Sequence, residues 1–204
     1  MRVSERNPVG VLALQGDFEK HRQALAEIDL PAKEVRTVEN LNPCSALIMP
    51  GGESTTMQKM MVAEGLDSAI KKFAKDRPIM GTCAGMILLA STVEDSTIEP
   101  LKLMDITVRR NAYGRQIHSF VDFGRVPMWE ENPRLEMVFI RAPQMVSYGP
   151  TVIPLATLGE EVVMARSEKI LVLAFHPELT ADRRVQKFFV EEFIEERKGI
   201  PVAL

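Results

Sequence analysis

Two short motifs far apart in the chain hold side chains that could work together as a nucleophile and its base. The first is Gly81-Thr82-Cys83-Ala84-Gly85. The apolar run from Pro78 to Met80 leads into it and the apolar helical pattern from Met86 to Leu89 leaves it, which reads as strand, sharp turn and helix. A nucleophile on so tight a corner needs small neighbours and unusual backbone dihedrals, and the two glycines supply both. At the start of a helix, unpaired backbone N–H groups favour a thiolate over a thiol. The same five residues also describe a buried cysteine between two turn glycines.

The second motif is His176-Pro177-Glu178, at the end of the apolar run Ile170 to Phe175. Residues two apart on an extended segment share a face, so the imidazole and the carboxylate can project to one side. Such a carboxylate fixes the tautomer of the ring and leaves its other nitrogen free to act as a base towards a thiol. A histidine at a strand end can equally be structural. The order nucleophile, His, acid differs from the α/β-hydrolase order, in which the acid precedes the histidine.

A third stretch, Pro50-Gly51-Gly52-Glu53-Ser54-Thr55-Thr56, opens a helix that carries Met57, Met60 and Met61. Its glycines let the backbone approach a ligand, and Ser54 or Thr55 could cap the helix. Glu53 would repel phosphate and no P-loop lysine follows, so a neutral or amine-bearing ligand fits better. A capped turn with no ligand is the alternative, and the methionines read as core.

The elements that must position these motifs read as an α/β chain. Val9 to Leu14 has the continuous apolar character of a strand buried on both faces. The turn Gln15-Gly16-Asp17 precedes a helix with Phe18, His21, Arg22, Leu25 and Ile28 at helical spacing, ended by Pro31. Lys33 to Val38 and Ala46 to Met49 read as the next two strands, giving a β-α-β-β order with right-handed crossovers. Leu66 to Lys75 is a further helix. From Leu103 to Leu173 the pattern changes to short strands: 106–108, 116–123, 136–140, 152–156, 161–165 and 170–175. This half is expected to supply antiparallel strands and the returning edge of the sheet. A last amphipathic helix spans about Asp182 to Lys198.

Composition narrows the function classes. At 204 residues the chain suits one domain, read as 1–204 with short tails at 1–8 and 199–204. A net charge of −3 gives no electrostatic footprint for nucleic acid or a membrane surface. The apolar run at the N-terminus is too short for a membrane span or signal core, so a cytoplasmic location is expected. Cys44 and Cys83 form no framework. His21, His118 and His176 have no ligand spacing, so no metal site and no cofactor site is legible.

Taken together, the three motifs resemble a class I glutamine amidotransferase domain. More narrowly, Leu14-Gln15-Gly16, Gly52 to Met57, Arg110 to Gln116, Phe139 to Pro143 and Phe175 to Thr180 resemble the glutaminase subunit of pyridoxal 5′-phosphate synthase, from about Val9 to Lys198. The chain departs from that pattern in a longer N-terminus, in Tyr113 where a Phe is expected, and in the stretch Asp122 to Leu135. The resemblance implies a flavodoxin-like three-layer fold: a mostly parallel central sheet flanked by helices, with extra antiparallel strands in the C-terminal half. It implies hydrolysis of L-glutamine to glutamate and ammonia by Cys83, His176 and Glu178, with backbone N–H groups of Gly52 and Ala84 as the oxyanion hole. Gly52, Glu53, Ser54, Arg110, Ile140 and Arg141 would bind the substrate. Gln15 would lie at the junction with a synthase subunit, one glutaminase per synthase subunit in a large hetero-oligomer. Other readings are a peptidase or deglycase with the same cysteine corner, or a catalytically idle regulatory subunit.

Overall fold

The computed structural model describes residues 7–94, 97–110, 119–129, 131 and 133–195. Positions 111–118, which include most of the Arg110 to Gln116 stretch and His118, lie outside the described residues, as do 1–6 and 196–204.

The parallel core forms from the runs whose side chains are apolar on both faces. Strands β1 (Val9–Leu12), β3 (Ala46–Met49), β4 (Ile79–Thr82) and β12 (Ile170–Leu173) are buried at every position. With β2 (Ala32–Val35) they make the parallel part of a nine-stranded sheet, ordered β2-β1-β3-β4-β12. The sheet continues antiparallel through β11 (Glu161–Arg166), β10 (Ile153–Leu158), β7 (Ser119–Arg125) and β8 (Arg134–Ile140). The strand β12 is therefore interior, paired with β4 on one side and β11 on the other, and the edge that this half of the chain supplies is β8.

Helix α1 (Phe18–Ala26) packs on β1 and β2, and α3 (Ser54–Ala63) and α4 (Leu66–Phe73) pack on each other. Helix α5 (Ala84–Leu89) leaves β4 and packs against β3, β4 and β12. Met57 and Met61 are core, as their spacing implied, while Met60 faces outward.

Several elements differ from the sequence reading. A short helix α2 (Val38–Leu41) separates β2 from β3, so the order is β-α-β-α-β. Two unanticipated strands, β5 (Ala90–Glu94) and β9 (Gln144–Tyr148), flank β6 (Met104–Arg109) in a separate three-stranded sheet. Strand β6 ends one residue before Arg110, which lines the cleft described below. The last helix is α-helical only over α6 (Arg184–Phe189) and continues as a π-helical segment, Val190–Glu195, with Val190 and Phe193 buried. Among the described residues no helix is long and apolar enough to cross a membrane.

Candidate active site

The site lies where the parallel strands end at their carboxyl side, the usual place for a ligand crevice in an open α/β sheet. Four connections converge there: Gln15-Gly16-Asp17 after β1, Gly51 to Ser54 after β3, Cys83 after β4, and His176 to Glu178 after β12.

Cys83 is the first residue beyond β4, with φ +49° and ψ −104°. That left-handed φ is strained for a residue with a side chain. Two close approaches allow it. A methyl group at Gly85 would meet the backbone oxygen of Met49, and one at Gly81 would meet the backbone of Gly85. The glycines thus bring α5 directly against β3 and β4 and hold the corner tight.

Strand register places the second motif beside the first. Leu173 pairs with Thr82, the Cys83 N–H donates to the Leu173 carbonyl at 2.8 Å, and the His176 N–H donates to the Val138 carbonyl of β8 at 2.8 Å. The segment Pro177–Leu179 is one 3₁₀ turn, not a continued strand. His176 Nδ1 and Glu178 Oε1 are nevertheless 2.7 Å apart, and both side chains are buried. The sulfur leans towards the Ile140 carbonyl at 3.7 Å, and His176 Nε2 has no aligned hydrogen-bond partner. The imidazole is cationic over a wide pH range. Burial opposes its charge, but the Cys83 thiol and the Glu178 carboxylate outweigh burial and push its pKa up to about 10. Burial also opposes ionisation of Glu178, yet His21 and His176 hold its pKa below the ordinary carboxylate value.

The cleft above these groups has a volume of about 280 Å³, a size that suits a small metabolite. Gln15, Gly16, Asp17, Gly52, Glu53, Ser54, Cys83, Ile87, Arg110, Ile140, Arg141 and His176 line it. All the anticipated binding positions therefore meet at one cleft; Ala84 follows Cys83 at the start of α5, and Glu178 stands behind His176. Sequence reasoning missed Asp17 and Ile87 as lining residues. Gly51, in the glycine loop singled out from the sequence, lies against the His176 ring, which any side chain there would strike.

Glu53 corrects one expectation. The helix cap is neither Ser54 nor Thr55 but the Glu53 carboxylate, which accepts from the N–H groups of Thr55 at 3.2 Å and Thr56 at 2.7 Å, and from the Thr56 hydroxyl. The longer Glu side chain reaches both orphan donors at once. The Thr56 hydroxyl, together with these N–H groups, pulls its pKa to about 2, so Glu53 is an anion in the cleft wall. Arg110 Nη2 stands 3.6 Å from it. The Glu53 N–H in turn donates to Gln15 Oε1 at 2.7 Å, which ties the loop after β3 to the loop after β1.

The model of the SNO glutamine amidotransferase family matches residues 11–195. The chain belongs to that family. Among its relatives, the pyridoxal 5′-phosphate synthase subunit PdxT of Desulforudis audaxviator is 47% identical over 184 residues, covering 90% of this chain and 97% of the relative. The PdxT subunit of Pelotomaculum thermopropionicum is 46% identical, covering 91% and 95%. A crystal structure of a glutamine amidotransferase superposes with a TM-score of 0.84 at 42% identity, over 90% of this chain and 97% of that one. The Thermotoga maritima PurLQS structure matches at a TM-score of 0.69 and 15% identity, covering 91% and 99%, a likeness of fold alone. The α/β fold and the amidotransferase class expected from the motifs are thus observed, and membership of this family displaces the peptidase and deglycase readings.

Proposed function

We propose that this chain is the glutaminase of a pyridoxal 5′-phosphate synthase, hydrolysing L-glutamine to L-glutamate and ammonia and passing the ammonia to a synthase subunit. The observation that carries the mechanism is the buried His176, bonded through Nδ1 to Glu178 at 2.7 Å while its Nε2 lacks any aligned partner beside the Cys83 thiol. A ring held in this way carries on Nε2 the proton whose absence leaves the sulfur nucleophilic, and gives that proton up later to the leaving nitrogen. Apo spacing between such groups commonly tightens when substrate binds.

The thiolate of Cys83 attacks the side-chain amide carbon. The developing oxyanion takes hydrogen bonds from the backbone N–H groups of Ala84 and Gly52, and losing one such donor typically costs about 3 kcal/mol of barrier. His176 protonates the leaving nitrogen, ammonia departs, and a thioester remains on Cys83. Water, deprotonated by His176, attacks the thioester carbonyl; glutamate leaves and the thiol is restored.

The rest of the cleft suits an amino acid. Arg110 is the partner for the α-carboxylate and ionised Glu53 for the α-ammonium, so the 3.6 Å pair they form opens to admit the ligand's two charges. Ser54 and the backbone at Ile140 and Arg141, where φ is +44°, complete the clamp. Ammonia lost to solvent would be protonated, so the chemistry is useful only beside an acceptor. The relatives' name, pyridoxal 5′-phosphate synthase subunit PdxT, supports a synthase subunit as that acceptor. In this reading Gln15 lies at the junction and each synthase subunit carries one glutaminase. The test is glutamate release from glutamine, with and without the synthase subunit, in the wild type and in Cys83→Ala. Release that depends on Cys83 and rises with the partner is expected; glutamate release by Cys83→Ala at the wild-type rate overturns the reading.

A further inference from the structure

Helix α1 carries a histidine that the mechanism above does not use. His21 is fully buried, and its Nε2 stands 3.2 Å from Thr82 Oγ1 and 3.3 Å from Glu178 Oε2. One oxygen of Glu178 is taken by His176. The other, Oε2, is buried with no aligned hydrogen-bond partner, and His21 Nε2 is the polar atom set against it. A buried carboxylate oxygen with no proton donor is costly, so the identity of the atom facing it matters.

Tautomer chemistry fixes what that atom carries. With the proton on Nδ1, an orphan N–H would be buried, because Nδ1 has no partner, and the Nε2 lone pair would face the carboxylate. With the proton on Nε2, the N–H donates to Thr82 Oγ1 at 3.2 Å while the same nitrogen stands 3.3 Å from Glu178 Oε2, and only a lone pair is orphaned. The ionisable groups that bear on His21 are Glu178, His176 and Asp17; burial, the largest influence, holds the ring neutral despite the pull of Glu178. The position is built: α1 packs on β1, β2 and the turn Pro177–Leu179, and Thr82 is the residue just before Cys83. The ring therefore bridges the strand that carries the thiol and the turn that carries the carboxylate.

We propose that His21 is a positioning residue, a neutral imidazole protonated on Nε2 that holds the second oxygen of Glu178 and so fixes the carboxylate against His176. The inference rests on Glu178 being the group that orients His176. Neither His21 nor its partner Thr82 lines the cleft, so substrate affinity should not change with it.

The decisive comparison is His21→Gln against His21→Met in the complex with the synthase subunit. Gln and Met have similar length and give up the ring alike, but only Gln offers a donor near the position of Nε2. The expected result is a kcat for H21M lower than that of H21Q by on the order of tenfold, with KM unchanged. The pH profile of Cys83 alkylation by iodoacetamide should shift as well: without the donor Glu178 protonates sooner, so the acid limb moves up by roughly half to one unit in H21M and not in H21Q. Should H21M fail to fold, H21F keeps the ring volume without the donor and is expected to behave as described for H21M. Equal kcat and equal acid limbs in the donor and donor-free variants overturn the proposal, as does a loss confined to KM. Glu178→Gln separates the two levels: if it turns over like the wild type, the orienting role of Glu178 falls first; if it is impaired while H21Q and H21M match, only the role of His21 falls.

Discussion

The N–H of Cys83 donates to the carbonyl of Leu173 at 2.8 Å, one residue past the last paired position of β4 and three residues before His176. This bond closes the β4–β12 ladder at the site. Because parallel register fixes where both strands end, backbone pairing brings the Cys83 sulfur and the His176 imidazole to one place. Shifting that register by one residue would turn each side chain to the other face of the sheet.

Gly85→Ala tests how closely the corner is packed. The added methyl would meet the Met49 carbonyl oxygen, an unyielding backbone atom. Overpacking of this kind typically costs about 1–3 kcal/mol, and here relaxation would have to move α5, which begins directly after Cys83. The expected outcome is a lower urea midpoint together with lost glutaminase turnover. Wild-type stability and turnover in the variant would mean that α5 can shift freely.

Glu178→Gln keeps the shape of the side chain and removes its charge. The imidazolium then loses its buried counter-ion, so kcat should fall on the order of 100-fold with little change in KM. The check is steady-state glutamate release in the complex. A KM effect alone would place Glu178 in substrate binding.

The pH dependence follows from His176. Its folded-state pKa of about 10 lies above its ordinary value of 6.5, so the stability it contributes is fully present below 6.5 and is lost as pH rises through about 10. The proton it lends to the leaving nitrogen disappears over the same range. The profile of kcat/KM should therefore hold its plateau through neutral pH and fall near pH 10, read as glutamate release. An alkaline limb near pH 7 would contradict an imidazole held in this way.

Arg110→Ala should raise KM for glutamine by on the order of tenfold or more while leaving kcat nearly intact, since a charge-assisted pair to the α-carboxylate is lost before any chemistry. Glu53→Gln removes the cap carboxylate as well as the partner for the ammonium. It should raise KM and also flatten the acid side of the stability curve: a pKa of about 2 against an ordinary 4.5 means stability that is present above 4.5 and lost as pH falls towards 2. The measurements are KM by glutamate release and thermal midpoint against pH.

How far the sequence revealed the fold depended on the length and purity of its signals. The runs at Val9, Ala46, Ile79 and Ile170 are apolar but for Thr82 at the end of β4, and each became a fully buried strand. The glycines around Cys83 were legible because close packing leaves them no substitute. Helix α2 was not, since four residues are too few for a helical period, and β5 directly follows α5 without a turn residue between them. Glu53 was read as a ligand contact, and its second use as a cap depends on a side-chain conformation that spacing does not specify. His21 sat in plain view on the inner face of α1, yet a buried histidine acquires meaning only from what it touches, and Glu178 lies far away in the chain.

Gln15→Ala tests whether the loops after β1 and β3 act as one unit. Gln15 Oε1 accepts the N–H of Glu53 at 2.7 Å, and the backbone of Gly16 packs against Gly51, which rests on the His176 ring. Removing the amide frees the peptide beside Gly52, the proposed oxyanion donor, at a cost of about 1 kcal/mol for the bond itself and more for the donor's lost alignment. Turnover in the complex should fall on the order of tenfold. Gln15→Glu keeps an acceptor at the same reach and should recover part of that turnover, although it adds a charge next to Glu53. If Gln15 also lies at the junction with the synthase subunit, Gln15→Ala should weaken binding of the partner, measurable by calorimetry apart from any assay of rate. Loss of turnover with unchanged partner affinity would confine Gln15 to shaping the loop, and loss of affinity with unchanged turnover at saturating partner would confine it to docking.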